Sequence, residues 1–172
     1  LAAAAGPEHE IRVLDLRLTL FPDLALLRSL RRFRPDLVGI TGYTHEASTV
    51  KALARLVRRS LPLARVVVGG HHATVDPADY RIEAIDAIVR GEGCGPFKAV
   101  VDAVASDGTP EGIEQVLVPS GTWPDDVAQT WPQFPDPANL PLPRRDLWNP
   151  SHYRGVWAGE RLIILDAGTG MV

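Results

Sequence analysis

Two rhythms of apolar positions run through the first hundred residues. Asp36-Leu-Val-Gly-Ile-Thr41, Arg65-Val-Val-Val68 and Ala87-Ile-Val-Arg90 are short, β-branched runs that read as strands, and Ile11-Arg-Val-Leu-Asp-Leu16 alternates as a strand does. Between them the apolar residues fall at helical spacing. Phe21-Pro-Asp23 opens a helix with Leu24, Leu27, Leu30 and Phe33 on one side, and Pro35 ends it. A longer helix is predicted over Ala47–Ser60, with Val50, Leu53, Ala54, Val57 and Leu61 facing inward and Pro62 closing the unit. A short helix is expected near Asp76–Tyr80, and another over Pro96–Ala105 with Phe97, Val100, Val101 and Val104 inward. Leu1–Gly6 has the look of a last helical turn with a glycine stop. Strand and helix in alternation predict an α/β fold, a parallel sheet with helices on both faces.

Beyond Ser106 the character changes. Ile113–Val118 suits a strand, but Pro119, Pro124, Pro132, Pro135, Pro137, Pro141, Pro143 and Pro150 predict an extended arm. Leu162-Ile-Ile-Leu165 is a last strand candidate. The sequence thus divides into a sheet domain over 1–106, an arm over 107–160 and a strand-like segment over 161–172.

Composition narrows the chemistry. Of 172 residues 45% are hydrophobic and 23% charged, with a net charge of -3, so no attraction to nucleic acid or a membrane surface is expected. Arg28, Arg31, Arg32 and Arg34 alternate with apolar residues on a helix and read as its solvated face. The single cysteine, Cys94, excludes internal disulfides and any iron–sulfur cluster or cysteine-rich zinc site built from this chain alone, which suits a reducing cytoplasm.

Candidate chemistry lies where the strands end. Thr41-Gly42-Tyr43-Thr44-His45-Glu46, Gly69-Gly70-His71-His72-Ala73-Thr74 and Gly91-Glu92-Gly93-Cys94-Gly95 each follow a strand, and parallel strands bring all three to one edge. In open α/β sheets ligands sit outside that carboxyl edge. Hydroxyls, bare backbone and little positive charge suit a large polar organic ligand better than a triphosphate, and no Gly-x-x-x-x-Gly-Lys-Ser/Thr or complete dinucleotide fingerprint is present. His45, His71 and His72 lack a carboxylate or cysteine at ligand spacing, which argues against a dedicated zinc site; His72 reads better as a partner that orders its loop. Glu46 suits a helix first turn, Glu92 is the acid placed to touch a ligand or a facing domain, and Cys94 has no base beside it in sequence. A phosphate-accepting receiver needs clustered acids at strand ends, where Asp15 alone stands near, and a stand-alone hydrolase lacks a nucleophile beside its histidines.

The series Pro35-Asp-Leu-Val-Gly-Ile-Thr-Gly, Val66-Val-Val-Gly-Gly-His-His-Ala-Thr74 and Ile88-Val-Arg-Gly-Glu-Gly93 resembles the cobalamin-binding domain that precedes the barrel in B12-dependent radical SAM enzymes. Asn139-Leu-Pro-Leu-Pro-Arg-Arg-Asp146, with Tyr153 beyond, is similar to the linker between those domains. The resemblance covers about residues 1–160. It implies the flavodoxin strand order, with cobalamin's nucleotide tail running among the carboxyl-edge loops. Carried over by position, Thr41, Gly42, Tyr43, Thr44, His45, Gly69, Gly70, His71, His72, Ala73, Thr74, Gly91, Glu92 and Gly93 become cofactor contacts. The activity implied for the parent protein is radical methylation of a small molecule or peptide, with methylcobalamin as methyl carrier. The [4Fe-4S] cluster and S-adenosylmethionine belong to the partner barrel domain, and this domain does no radical chemistry itself; the cofactor-free alternative is a flavodoxin-like interaction domain.

Departures from the pattern set further expectations. No Asp-x-His-x-x-Gly is present, so no residue is assigned to cobalt, and Cys-x-x-x-Cys-x-x-Cys is absent. By the resemblance the sequence reads as a segment that lacks the family's central first strand and ends where a barrel's first strand begins. A strand missing from a sheet leaves backbone groups unpaired at about 1–3 kcal/mol each. Leu162–Leu165, or a strand of another chain, is therefore expected to fill the gap.

Overall fold

The computed structural model describes residues 1–127, 132, 135–147, 155–157 and 160–162. Four strands, β1 (Leu37–Thr41), β2 (Arg65–Gly69), β3 (Ala87–Val89) and β4 (Val116–Leu117), form one sheet in that spatial order. β1 to β3 are parallel and β4 is antiparallel to β3, so the sheet is mixed but mostly parallel, consistent with a Rossmann-like, flavodoxin-like α/β fold. Helices α1 (Pro22–Phe33), α2 (Ala47–Ser60), α3 (His71–Val75) and α4 (Cys94–Ala105) supply the covering layers.

β2 is the spine. Val66, Val67 and Val68 are all buried, and their alternation sends Val66 and Val68 into one core and Val67 into the other. The first core also holds Leu26 and Leu30 of α1, Val50, Leu53, Ala54 and Val57 of α2, Tyr80 and Ile88. The second packs Val67, Ala87 and Val89 against Val100 and Val116, with Phe97 and Val104 at its margin. Helices therefore lie on both faces. α2 spans the residues its spacing predicts, and Val50, Leu53, Ala54 and Val57 are its buried stripe.

Several expectations change. Ile11–Leu16 is not a strand: residues 11–15 belong to no ladder and Leu16–Leu18 turn as a 3-10 helix capped by Asp15, which accepts from the Arg17 amide at 2.9 Å. A strand exists through its partner's hydrogen bonds, and no described strand lies beside this segment. On α1 the buried residues are Leu26 and Leu30, whereas Leu24 is 44% exposed, because the helix packs against α2 and turns its first apolar position outward. α3 was not foreseen as a helix, and α4 begins at Cys94, two residues before Pro96.

No described strand pairs with the outer edge of β1. Of the expected filler only Leu162 is described: Glu160–Leu162 (β6) pairs antiparallel with Gly155–Trp157 (β5) in a separate two-stranded ribbon, while Ile163–Leu165 lie outside the described residues. Tyr153, taken as part of the linker, also lies outside them. The opening turn is as expected, with Ala4 and Ala5 amides on the Leu1 carbonyl and Gly6 at φ 98°.

The arm starts in contact with the sheet. Trp123 donates its indole N–H to the Val118 carbonyl at 2.7 Å and lies under the Arg81 guanidinium, 4.7 Å from the ring centre. Arg81 in turn donates to the Pro119 and Gly121 carbonyls, each at 3.0 Å, so a proline-rich stretch unable to form a ladder is satisfied by a side chain instead.

Candidate functional site

Parallel β1, β2 and β3 deliver the three predicted loops to one edge of the sheet. The first leaves Thr41 and turns through a 3-10 helix, Thr44–Glu46, into α2. Glu46 holds that turn: its carboxylate accepts from the Tyr43 amide at 2.9 Å, and its own amide donates to the Tyr43 carbonyl at 2.9 Å. Thr41, Tyr43, Thr44 and His45 are exposed, and the Tyr43 and His45 rings lie parallel with centroids 6.0 Å apart. Gly42 is buried, with Val50 where a side chain would project.

The second loop turns at Gly70, whose φ of 97° is open to glycine and strained for other residues. A Cβ there would run into the Thr41 hydroxyl, so the first two loops meet at this point. Gly69 and Gly70 are half-buried and His71 is exposed, while His72, Ala73 and Thr74 are buried beneath the turn. Thr74 joins the second loop to the third: its hydroxyl donates to the Gly70 carbonyl at 3.0 Å and accepts from the Gly91 amide at 2.9 Å. Arg90 is buried beside them, its guanidinium donating to the Thr74 carbonyl at 3.4 Å, and burial lowers its pKa.

The third loop turns at Gly91, φ 73°, where a Cβ would come within 2.8 Å of Pro132 and 3.0 Å of the Gln115 side chain. Glu92 is half-buried and spends one carboxylate oxygen on the Cys94 amide at 2.8 Å, which caps the start of α4. Gly93 is buried. Burial, then the hydrogen bond the thiol donates to Glu92, pushes Cys94 above its ordinary range, away from the thiolate a nucleophile needs.

The fourteen candidates thus separate by role. Thr41, Tyr43, Thr44, His45, His71 and the backbone of Gly69, Gly70 and Gly91 are accessible to a ligand. Gly42, His72, Ala73, Thr74 and Gly93 sit underneath, and the half-buried Glu92 is spent on the Cys94 amide. The histidines do not converge on a metal: His72 is buried and bonds Asp79 at 3.0 Å, while His45 stacks on Tyr43. Sequence reading missed Asp79, the partner of His72, and Lys51, which bonds Asp79 from 28 residues away and is joined to it only by the fold.

Two other clusters lie away from this edge. A groove of about 600 Å³ lined by Arg65, Arg81, Asp86, Glu111 and Pro119 opens at the amino ends of β2 and β3. Its Asp86 carboxylate is already engaged, accepting from Arg58, from Arg65 at 3.3 Å and from the Val66 amide at 2.7 Å. Glu8, His9 and Asp102 bring ligand atoms within 4.8 Å of one another at the far end of α4. There the Lys98 ammonium takes the cation's place, 2.7 Å from Asp102.

Comparison with known proteins decides the family. Residues 1–101 match the B12 binding domain family. The chain belongs to that family. Over 120 residues this B12-binding domain is also 36% identical to an uncharacterized methyltransferase of Pyrococcus horikoshii, covering 66% of this chain and 25% of that protein. The chain therefore spans about a quarter of that relative's length. No solved structure matches. Among the described residues no helix is long and apolar enough to cross a membrane.

The donor set of the domain suits cobalamin, a large ligand rimmed by neutral amides with one phosphodiester. The Thr41 hydroxyl stands beside the half-buried Gly70 backbone, and the loops of the same edge carry the exposed Tyr43, Thr44, His45 and His71. The two carboxylates of the edge, Glu46 and Glu92, are both engaged by backbone amides. Helices α2 and α4 begin here, so the positive ends of their dipoles face this edge and favour the phosphodiester.

Proposed function

We propose that this chain is the cobalamin-holding module of a B12-dependent radical SAM methyltransferase. Thr41 to His45, Gly69 to Thr74 and Gly91 to Gly93 are, on this reading, the residues that form the corrinoid site, the buried ones by supporting the accessible ones. The observation that carries it is Gly70, whose left-handed turn presents bare backbone between Thr41 and Thr74 at the carboxyl edge of a B12-binding domain. Cobalamin, when bound, supplies a cobalt that can carry a methyl group.

The chain's own residues do the holding. Hydroxyls and amides at the three loop ends offer hydrogen bonds to the ligand's amides, and the turns fixed by Glu46, Thr74 and Glu92 make those donors available without reordering on binding. The methyltransferase name of the Pyrococcus horikoshii relative supports the reaction class. The iron–sulfur cluster, S-adenosylmethionine and the small-molecule or peptide substrate belong to a barrel domain beyond these residues.

Gel filtration of the purified chain with hydroxocobalamin tests the binding step. A protein peak carrying the corrinoid visible spectrum, lost in Gly70→Val, is expected. A colourless peak from folded protein overturns the proposal.

A further inference from the structure

The turn after β2 is held by a chain of side chains that neither the family match nor the loop sequence assigns. α3 has five residues, too few to persist on its own hydrogen bonds. Its His72 is 6% exposed, and its Nε2 lies 3.0 Å from Asp79 Oδ2. Lys51 of α2 donates to Asp79 Oδ1 at 2.5 Å. The hydrogen bonds from Lys51 and then His72 hold the Asp79 carboxyl below its usual range, and an ionised carboxylate only accepts. The ring proton of His72 is therefore on Nε2. Nδ1 is buried with no partner among the described residues, and the ring meets Tyr80 edge-on at 5.2 Å.

A carboxylate anchored by a lysine and spent on one face of a buried imidazole fixes that ring's tautomer and orientation. His72 lies two residues from Gly70, and Thr74, two residues further on, bonds both Gly70 and Gly91. The chain Lys51, Asp79, His72 thus ties α2 to the turn from one side while Thr74 ties the turn to the third loop from the other.

We propose that His72 is a positioning residue for cobalamin, with Lys51 and Asp79 acting through it to hold the Gly70 turn and, through Thr74, the Gly91 turn ready for the ligand. This rests on the reading that the carboxyl edge binds cobalamin. His72→Phe keeps the ring volume and the contact with Tyr80, Asp79→Asn is isosteric, and Lys51→Met removes the far anchor without changing a residue of the turn.

Three readouts decide it. Amide hydrogen exchange without ligand should quicken roughly tenfold at Thr74 and Gly91 in each variant, and stay unchanged in β2. Hydroxocobalamin affinity should fall roughly tenfold, with Lys51→Met adding little in the His72→Phe background. Imidazole 15N signals should show the Nε2–H form in the native chain and lose it in Asp79→Asn. Because Lys51→Met leaves the turn's own residues in place, it keeps the test decisive if His72→Phe does not fold. Unchanged exchange at Thr74 and Gly91 overturns the positioning role, and so does unchanged affinity in variants of a native chain that binds. A native chain that retains no corrinoid defeats the cobalamin reading itself, an outcome visible before any variant is made.

Discussion

The two ends of the sheet are built from opposite materials. At the amino end, Arg58, Arg65 and Asp86 meet across α2, β2 and the residue before β3, and each charge there has a partner. At the carboxyl end stand threonine hydroxyls, glycine backbone, two accessible histidines and a tyrosine, with both carboxylates occupied by amides. Paired charges satisfied within the chain close a structure; neutral donors left accessible around bare backbone leave it open to a ligand. A groove of about 600 Å³ lies at the amino end, yet its Asp86 is spent on Arg58, Arg65 and the Val66 amide.

Breaking the carboxyl end should have the largest effect. Gly70→Val forces a left-handed φ of 97° on a β-branched residue and drives its Cβ into Thr41. Loss of co-eluting corrinoid and a stability loss of roughly 1–3 kcal/mol or more are expected, read by gel filtration and urea unfolding. Asp86→Asn should do the reverse. It removes the anion shared by Arg58 and Arg65, lowering stability by roughly 1–3 kcal/mol while corrinoid retention stays native, which separates the two ends by function.

Acid should sharpen the contrast on the carboxyl side. Asp79 is held below its ordinary value of 3.8 by Lys51 first and His72 second. A depressed carboxyl adds stability that is complete above the unfolded value and is lost as the pH falls through the lower folded one. The stability difference between the native chain and Asp79→Asn should therefore be constant from neutral pH down to about pH 5 and shrink below the ordinary value, as urea midpoints across that range would show. A difference that grows on acidification would contradict the assigned ion pair.

The smallest effect is expected from Tyr80→Phe. Tyr80 is fully buried, burial foremost pushes its pKa up to about 12, and its hydroxyl has no partner among the described residues. Removing an unsatisfied buried hydroxyl should leave stability unchanged or raise it by up to about 1 kcal/mol. A clear loss in calorimetry would reveal a partner for that oxygen.

Much of this was legible along the chain. The Val66–Val68 run declared a strand covered on both faces, and the apolar stripe from Val50 to Val57 declared α2, because both signals are carried by side chains a few residues apart. The three loops could be placed on one edge because parallel strands leave no other arrangement. Ile11–Leu16 carried the same alternation and did not form a strand, since a ladder needs a neighbour and periodicity says nothing about who pairs with whom. His72 was read as a hydrogen-bonding residue of its loop, and it bonds Asp79, but that partner and the Lys51 behind it, 28 residues from Asp79, were not legible in the sequence.

By itself the sequence determined the three parallel strands of the core, the helices α1, α2 and α4, and which residue types stand at the carboxyl edge, because local periodicity, β-branching and glycine placement are properties of near neighbours. The tertiary structure alone decided which of those edge residues face outward and which lie beneath, that Gly70 meets Thr41, and that Thr74 and the Lys51–Asp79–His72 chain bind the loops together. Those contacts join residues far apart in the chain, and only packing around the two cores brings their atoms within hydrogen-bonding distance.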